Sequence, residues 1–391
     1  MAEFSEKRVY QQIRNFERAM DGFEGDQPFS RYLTTFFKEN KQMGSSDRRS
    51  TSRLCYNYFR LGLAASQLSQ QRRLVLAEFL CENESPLVNI LEPAYSDKLG
   101  LSLDKKIAFL ESEGLVKRED LFPFTAYFSP QIDTKLFLKS QLVQPHLYIR
   151  VKRGKNKIVR AILDENQIPY SELSDQTISL ANGTSLQRFS TLEGLIEVQD
   201  LSSQRTLEFM KPEGRESWWD ACAASGGKSL LLMDACPSVN LLVSDLRMSI
   251  LRNLDERFDH AGIKHYRKKI LDLTKDPYPI LGNEKFDGVI LDAPCTGSGT
   301  WGRTPEMIRE FKTAKIEEFS ALQKTIASHV AGYVKVGKPL VYITCSVFKG
   351  ENEDVVDYIL NNLGFELESM RCLDGYTERA DSMFVARLIK K

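Results

Sequence analysis

The run Asp220-Ala221-Cys222-Ala223-Ala224-Ser225-Gly226-Gly227-Lys228 limits what this chain can fold into more than any other stretch. It leaves a short strand-like segment, turns on two adjacent glycines and enters the apolar-periodic residues 228–235. A strand turning tightly into a helix begins a βα unit, and such units build open sheets of mainly parallel strands. The alternation continues downstream. Strands are expected at 217–222, 241–245, 286–292 and 340–345, and a closing hairpin at 365–372 and 383–389. Helices are expected between them, including 248–262 and 316–336. The fold class this predicts is α/β, with a doubly wound sheet from about Ser203 onward.

The chain reads differently before that point. Val9, Ile13, Phe16 and Met20 recur at helical spacing, as do Leu54, Tyr58 and Leu61, and Gly44 is followed by Ser46 or Asp47 as a candidate N-cap. A further helix is expected at 105–113, and Pro123 and Pro130 bracket a loop. A smaller α/β pattern follows, with a strand at 147–151, a helix at 156–165, and strands at 177–180 and around 186–190. The expected organisation is a helical domain over 1–125, a small α/β subdomain over 126–195 and the doubly wound domain over 196–391.

Composition narrows the functional classes. No apolar stretch reaches membrane-spanning length, and the N-terminal residues lack the apolar core of a signal peptide. Seven irregularly spaced cysteines argue against a disulfide framework and for a reducing compartment, so the cytoplasm is expected. With no CxxC pair and only four histidines, no metal site is expected. The 53 basic and 53 acidic residues balance, but unevenly along the chain. Lys135, Lys139, Arg150, Lys152, Arg153, Lys155, Lys157 and Arg160 occur with no acidic residue among them. That run is either a solvated basic face or a phosphate-contacting surface.

Four further residues stand where an open sheet presents its ligand-binding edge. Asp245 ends the strand after the glycine turn, the position from which a carboxylate accepts hydrogen bonds from a ribose diol. Asp272 also follows an apolar run; Asp245 and Asp272 are each alternatively a local helix cap. Cys295, three residues after Asp292, and Cys345 each follow a strand-like segment. Two thiols at one edge point to covalent chemistry with one thiol supporting the other, against the alternative of two small buried residues.

Together these motifs resemble the RNA cytosine-5 methyltransferases of the Sun family. Residues 220–228 are similar to the family's cofactor loop, and Asp292-Ala293-Pro294-Cys295 and Thr344-Cys345-Ser346 to its two active-site motifs. Arg303-Thr304-Pro305-Glu306, Gln199-Asp200 and Met383-Phe384-Val385 resemble further elements in family order. Asp47-Arg48-Arg49 and Arg60-Leu61-Gly62 resemble the NusB-like helical domain of some bacterial members, and Tyr148-Ile149-Arg150-Val151 a small RNA-recognition-like subdomain. One departure is Ser225, where the family usually has proline.

The resemblance implies a Rossmann-like class I methyltransferase domain using S-adenosylmethionine. The cofactor would lie over Cys222, Ala223, Ala224, Ser225, Gly226, Gly227 and Lys228, its ribose on Asp245, its adenine near Asp272 and its methyl group facing Asp292. Cys345 would attack cytosine C6 and Cys295 would assist product release. Asp292 would hydrogen-bond the base, and Lys228 would orient Asp292 or lower a thiol pKa, unless it is a solvent-exposed first-turn lysine. Trp301 is either a stacking platform for a base or a core residue. The expected substrate is ribosomal RNA, acted on by a monomer without membrane contact. Transfer RNA, DNA, and a non-catalytic RNA-binding role are the competing readings.

Overall fold

The computed structural model describes residues 6–391. The chain forms two compact units. One runs to Ala126 and adds Asp133–Gln144 and Trp301–Lys312; the other gathers Tyr127–Ile132, Pro145–Thr300 and Thr313–Lys391.

The first unit is helical. In helix Glu6–Asp21 the buried stripe Val9, Ile13, Phe16 and Ala19 packs against Leu54, Cys55 and Tyr58 of helix Ser45–Arg60. Gly44, not Ser46 or Asp47, occupies the N-cap of that second helix, and no side chain caps it. Ser46 and Asp47 instead lie in the first turn, where the Asp47 carboxylate suits the positive end of the helix dipole. The helix expected at 105–113 forms at Leu103–Ser112. The buried Arg60 guanidinium donates to the Gln141 carbonyl at 2.9 Å and to Gln144 Oε1 at 2.8 Å. Trp301 settles as core: it is 1% exposed, with its ring 5.5 Å from Phe122 and 4.8 Å from Phe311. No face is left for stacking a base.

The second unit contains two sheets. In the smaller, strands β1 (Leu147–Val151), β2 (Tyr170–Ser174), β3 (Thr177–Leu180) and β4 (Ile196–Val198) pair antiparallel in the order β2-β3-β1-β4. Val159 and Leu163 of helix Asn156–Glu165 fill its core with Ile149, Val151 and Ile178. The expected strand around 186–190 is not one: Leu186–Arg188 and Ser190–Leu192 are 3₁₀ turns, through which Leu186 and Leu192 reach the small core. The largely exposed β2, an edge strand of mostly polar residues, carries no hydrophobic alternation to announce it.

The larger sheet comprises β5 (Ser217–Asp220), β6 (Asn240–Asp245), β7 (Arg267–Ile270), β8 (Gly288–Asp292), β9 (Pro339–Thr344), β10 (Phe365–Leu373) and β11 (Met383–Lys390). Their order is β10-β11-β9-β8-β5-β6-β7. β5 to β9 run parallel, while β11 is antiparallel to both β9 and β10. Trp218 and Trp219, consecutive in β5, are both fully buried, as a central strand covered on both faces requires. β7 reads Arg-Lys-Lys-Ile, wholly exposed, a charged edge that discourages pairing with another chain. From β5 the chain winds outward through β6 and β7, then returns to the other side with β8 and β9. The crevice above the carboxyl ends of β5 and β8 is therefore the switch point where such sheets bind ligands.

Folding disperses the basic run. Arg150 is 3% exposed; its guanidinium pairs with Asp234 at 2.5 Å and donates to Gln199 Oε1 at 2.8 Å. Lys152 donates to the Ala261 carbonyl, Arg160 pairs with Glu172, and Lys139 of the helical unit pairs with Asp104. Arg150 and Lys152 are thus internal props and not phosphate contacts. Arg153, Lys155 and Lys157 remain exposed. Among the described residues no helix is long and apolar enough to cross a membrane.

Candidate active site

Neighbouring parallel strands carry the two cysteines to one place. Asp292, the last residue of β8, is in register with Ile343 of β9, so the loops that follow leave the sheet side by side. Cys295 Sγ and Cys345 Sγ lie 3.3 Å apart. Gly299 closes the arrangement: its N–H donates to the Cys345 carbonyl and its own carbonyl accepts from Ser382 N–H, each at 2.9 Å. A Cβ at this position would stand 2.1 Å from the Ser382 carbonyl oxygen, so only glycine fits. The hydrogen bond to Cys345, together with burial, holds the Cys295 thiol well above its ordinary pKa.

Lys228 is buried, not solvent-exposed. Its ammonium donates to Asp292 Oδ2 and to Ser203 Oγ, both at 3.0 Å. The bonding continues away from the edge. Gln199 Nε2 donates to Ser203 Oγ at 3.2 Å and to the Gly227 carbonyl at 3.1 Å, and Gln199 Oε1 receives Arg150 Nε. A hydrogen-bonded chain thus runs from β1 of the small sheet through Gln199, Ser203 and Lys228 to Asp292.

The glycine loop forms a cradle beside this pair. Ala224 and Gly226 both take left-handed backbone conformations, with φ of 47° and 84°. A Cβ on Gly226 would also press within 2.8 Å of Phe258. Asp245 Oδ2 accepts from Ala224 N–H at 3.1 Å, and Oδ1 from the backbone N–H of Arg247 at 2.9 Å. Arg247 Nε and Nη2 also donate to Oδ1 at 3.1 Å and to Oδ2 at 3.4 Å, from a side chain that is mostly exposed. Asp220 is fully buried beneath the loop, where Ser229 Oγ donates to it at 2.6 Å; desolvation lifts its pKa to about 7. Burial likewise pushes the Cys222 thiol up. Asp272 uses Oδ1 to accept from Thr274 N–H and Oγ1 in a turn; no helix starts there, so it is not the helix cap it could have been from sequence, and it lines the same cavity. That cavity, about 450 Å³, reaches from Ala224 and Asp245 to Asp292, Cys295 and Cys345. Small-molecule sites span roughly 300–1,000 Å³.

Ser225 has a partner that proline could not hold in the same way. Arg257 donates from Nη1 to both the carbonyl and the hydroxyl of Ser225, each at 2.9 Å, and from Nη2 to Glu197 of β4. The loop, freed by losing proline's fixed φ, is braced from the small sheet instead. Arg257→Ala is expected to weaken binding of S-adenosylmethionine by about tenfold, one lost charge-assisted contact of roughly 1.5 kcal/mol. Adding Ser225→Pro to that variant recovers most of the loss. Calorimetric titration of the variants checks both, and an unchanged affinity in Arg257→Ala removes the brace.

Residues 207–388 match the family described as 16S rRNA methyltransferase RsmB/F. The Rossmann-like class I fold expected from the motifs is the one observed. Ribosomal RNA small subunit methyltransferase B of Shewanella oneidensis is 34% identical over 217 residues, 54% of this chain and 49% of that protein. The Klebsiella pneumoniae protein of the same name is 31% identical over 208 residues, 51% of this chain and 48% of its own length. The chain thus spans about half the length of these curated relatives. Among solved structures, PH0851 superposes with a TM-score of 0.73 at 23% identity, covering 97% of this chain and 98% of that one. NSun6 from Pyrococcus horikoshii, solved with SFG, gives 0.59 at 19% identity, covering 70% of this chain and 97% of that one. At these identities the likeness is one of fold.

The site also draws on residues whose part in it sequence reading did not assign. Ser203 and Gln199 sit in a motif that reads as a domain boundary, and Arg257 on a helix whose outer face is charged. Glu351 lies in the acidic stretch Lys349-Gly350-Glu351-Asn352-Glu353-Asp354, which looks solvated, yet it is 0% exposed. Only the tertiary packing reveals these four.

Proposed function

We propose that this protein transfers a methyl group from S-adenosylmethionine to C5 of a cytosine in RNA, with ribosomal RNA as the substrate. The observation that carries the reading is the pair of thiols 3.3 Å apart at the same sheet edge as the Asp292–Lys228 ion pair. A binding module needs neither.

The residues present suit the methyl donor. The cradle of Ala224 and Gly226 admits close backbone approach, and Asp245, at the end of β6, stands where a carboxylate accepts from a ribose diol once the exposed Arg247 side chain swings aside. When bound, S-adenosylmethionine supplies an electrophilic methyl group. Cytosine C5 is a weak nucleophile, so the chain must first activate the ring. Cys345, as thiolate, adds to C6, which makes C5 enamine-like. Asp292, held by Lys228, accepts from the exocyclic amine and fixes the ring, and the proton that N3 gains on attack arrives through this pair. After C5 gains its methyl group, its proton must leave and the bond between C6 and the Cys345 sulfur must break. Cys295, its sulfur 3.3 Å from that of Cys345, is the thiol placed to assist this release. The target base has to be unpaired or extruded, because C6 is shielded within a stacked duplex.

The test is direct. The purified chain, incubated with methyl-labelled S-adenosylmethionine and separated ribosomal and transfer RNA, is expected to place label in 5-methylcytidine of the ribosomal fraction. Label in transfer RNA alone overturns the substrate, and label in any other nucleoside overturns the chemistry.

A further inference from the structure

Glu351 is a buried carboxylate that the mechanism above does not use. No lysine or arginine pairs with it among the described residues. Burial raises its pKa, and four hydrogen bonds offset that burial. Oε2 accepts from Thr296 N–H at 2.8 Å and from Gln323 Nε2 at 3.1 Å. Oε1 accepts from Thr296 Oγ1 at 2.5 Å and from Ser346 Oγ at 2.6 Å. Thr296 directly follows Cys295, and Ser346 directly follows Cys345. One side chain therefore grips both cysteine loops one residue beyond each sulfur. Its own backbone is anchored too: the Glu351 carbonyl accepts from Tyr342 Oη of β9 at 2.6 Å. Asn352 adds a second strap, donating to the Ser346 carbonyl at 3.0 Å and accepting from Thr344 Oγ1 at 2.6 Å.

An unpaired buried carboxylate is costly, and a well-packed apolar residue would serve stability as well or better. What an apolar residue could not supply is a shared acceptor for donors on two separate loops. We propose that Glu351 is a positioning residue that clamps the two loops together and so sets the separation of Cys295 and Cys345. The inference rests on the reading of these thiols as the reacting pair, but its geometric part can be measured without methylation.

The measurement is disulfide formation between the two thiols in the full-length protein treated with diamide. Diamide takes both thiol hydrogens, being reduced to its hydrazine as the S–S bond forms. Mass spectrometry of the linked peptides distinguishes this bond from any involving the other cysteines. Glu351→Ala is expected to slow both this reaction and methyl transfer by on the order of 10²-fold, the scale of an ångström's misplacement. Its affinity for S-adenosylmethionine stays within about twofold, since kcat and not cofactor binding depends on the clamp. Glu351→Gln recovers most of both rates. Its oxygen keeps Thr296 N–H and Gln323, and its amide donates to the Thr296 and Ser346 hydroxyls, which can rotate to accept. Thr296→Val, which loses one hydroxyl donor and keeps its shape, slows both rates by about threefold.

If Glu351→Ala folds and cross-links at the normal rate, the proposal is wrong. If it does not fold, Thr296→Val decides, and an unchanged rate there overturns the clamp. A Glu351→Gln variant as slow as Glu351→Ala also overturns it, since bonding geometry would then not be the cause. Slowed cross-linking in a protein that never methylates RNA would support the clamp and sink the proposed activity.

Discussion

Cys345→Ala is expected to abolish methyl transfer and leave no covalent protein–RNA complex, whereas Cys295→Ala is expected to accumulate a complex that survives a denaturing gel. The asymmetry follows from the order of events. Without Cys345 nothing adds to C6, C5 stays unreactive, and the rate falls by on the order of 10⁴-fold or more. Without Cys295 the addition and methylation proceed, but the step that expels Cys345 loses the neighbouring thiol that assists it. The sulfurs are equivalent by position, each just beyond the end of a central strand and 3.3 Å from the other. What tells them apart is the likeness of Asp292-Ala293-Pro294-Cys295 and Thr344-Cys345-Ser346 to two different active-site motifs. Denaturing electrophoresis with labelled RNA reads both outcomes. A complex in Cys345→Ala and none in Cys295→Ala exchanges the roles; normal transfer in both variants removes covalent catalysis by these thiols.

Lys228→Met is expected to reduce the rate of transfer by about 10²–10³-fold, the scale of losing one preorganised donor at a site of developing charge. Methionine matches the length of the lysine stem but leaves Asp292 without its cation and Ser203 with Gln199 as its remaining donor. Arginine is not a rescue, because a planar fork cannot reproduce one buried nitrogen placed 3.0 Å from two acceptors. Single-turnover measurements separate this loss from any change in RNA affinity. Combining Lys228→Met with Cys295→Ala locates the step. A missing covalent complex in the double variant places Lys228 at or before attack, and a persistent one places it afterwards. A single variant that transfers at the normal rate makes Lys228 a structural residue only.

The glycine turn, the two cysteines and the carboxylates at strand ends were legible because their signals are local. A tight turn needs glycine within a residue or two, and a strand that ends in an active-site residue shows an apolar run just before it. The central strands β5, β6, β8 and β9 were found within a few residues for the same reason. β7 was missed because an exposed, charged edge strand has no apolar face to display. The strand expected near 186–190 failed where leucines entered the core from turns rather than from a pleat.

Charge was the weakest guide. Arg150 and Lys155 look alike in a basic run, yet one is buried against Asp234 and Gln199 and the other faces solvent. Glu351 and Glu353 look like a solvated acidic turn and are both buried. Burial of a charged residue depends on which distant groups arrive to satisfy it, and Asp234 and Gln199 are far from Arg150 along the chain.

The sequence by itself therefore determined the doubly wound class of the catalytic half, the loop that cradles a ligand, and the identities of the thiols and carboxylates at its edge. The tertiary structure alone decided that the two sulfurs meet, that Lys228 is buried on Asp292, that Arg257 braces the loop where Ser225 stands, and that Glu351 ties the cysteine loops together. The physical reason is range. Turn and strand preferences act over a few residues, whereas hydrogen bonds and ion pairs between buried groups exist only after strands distant in sequence have been laid side by side.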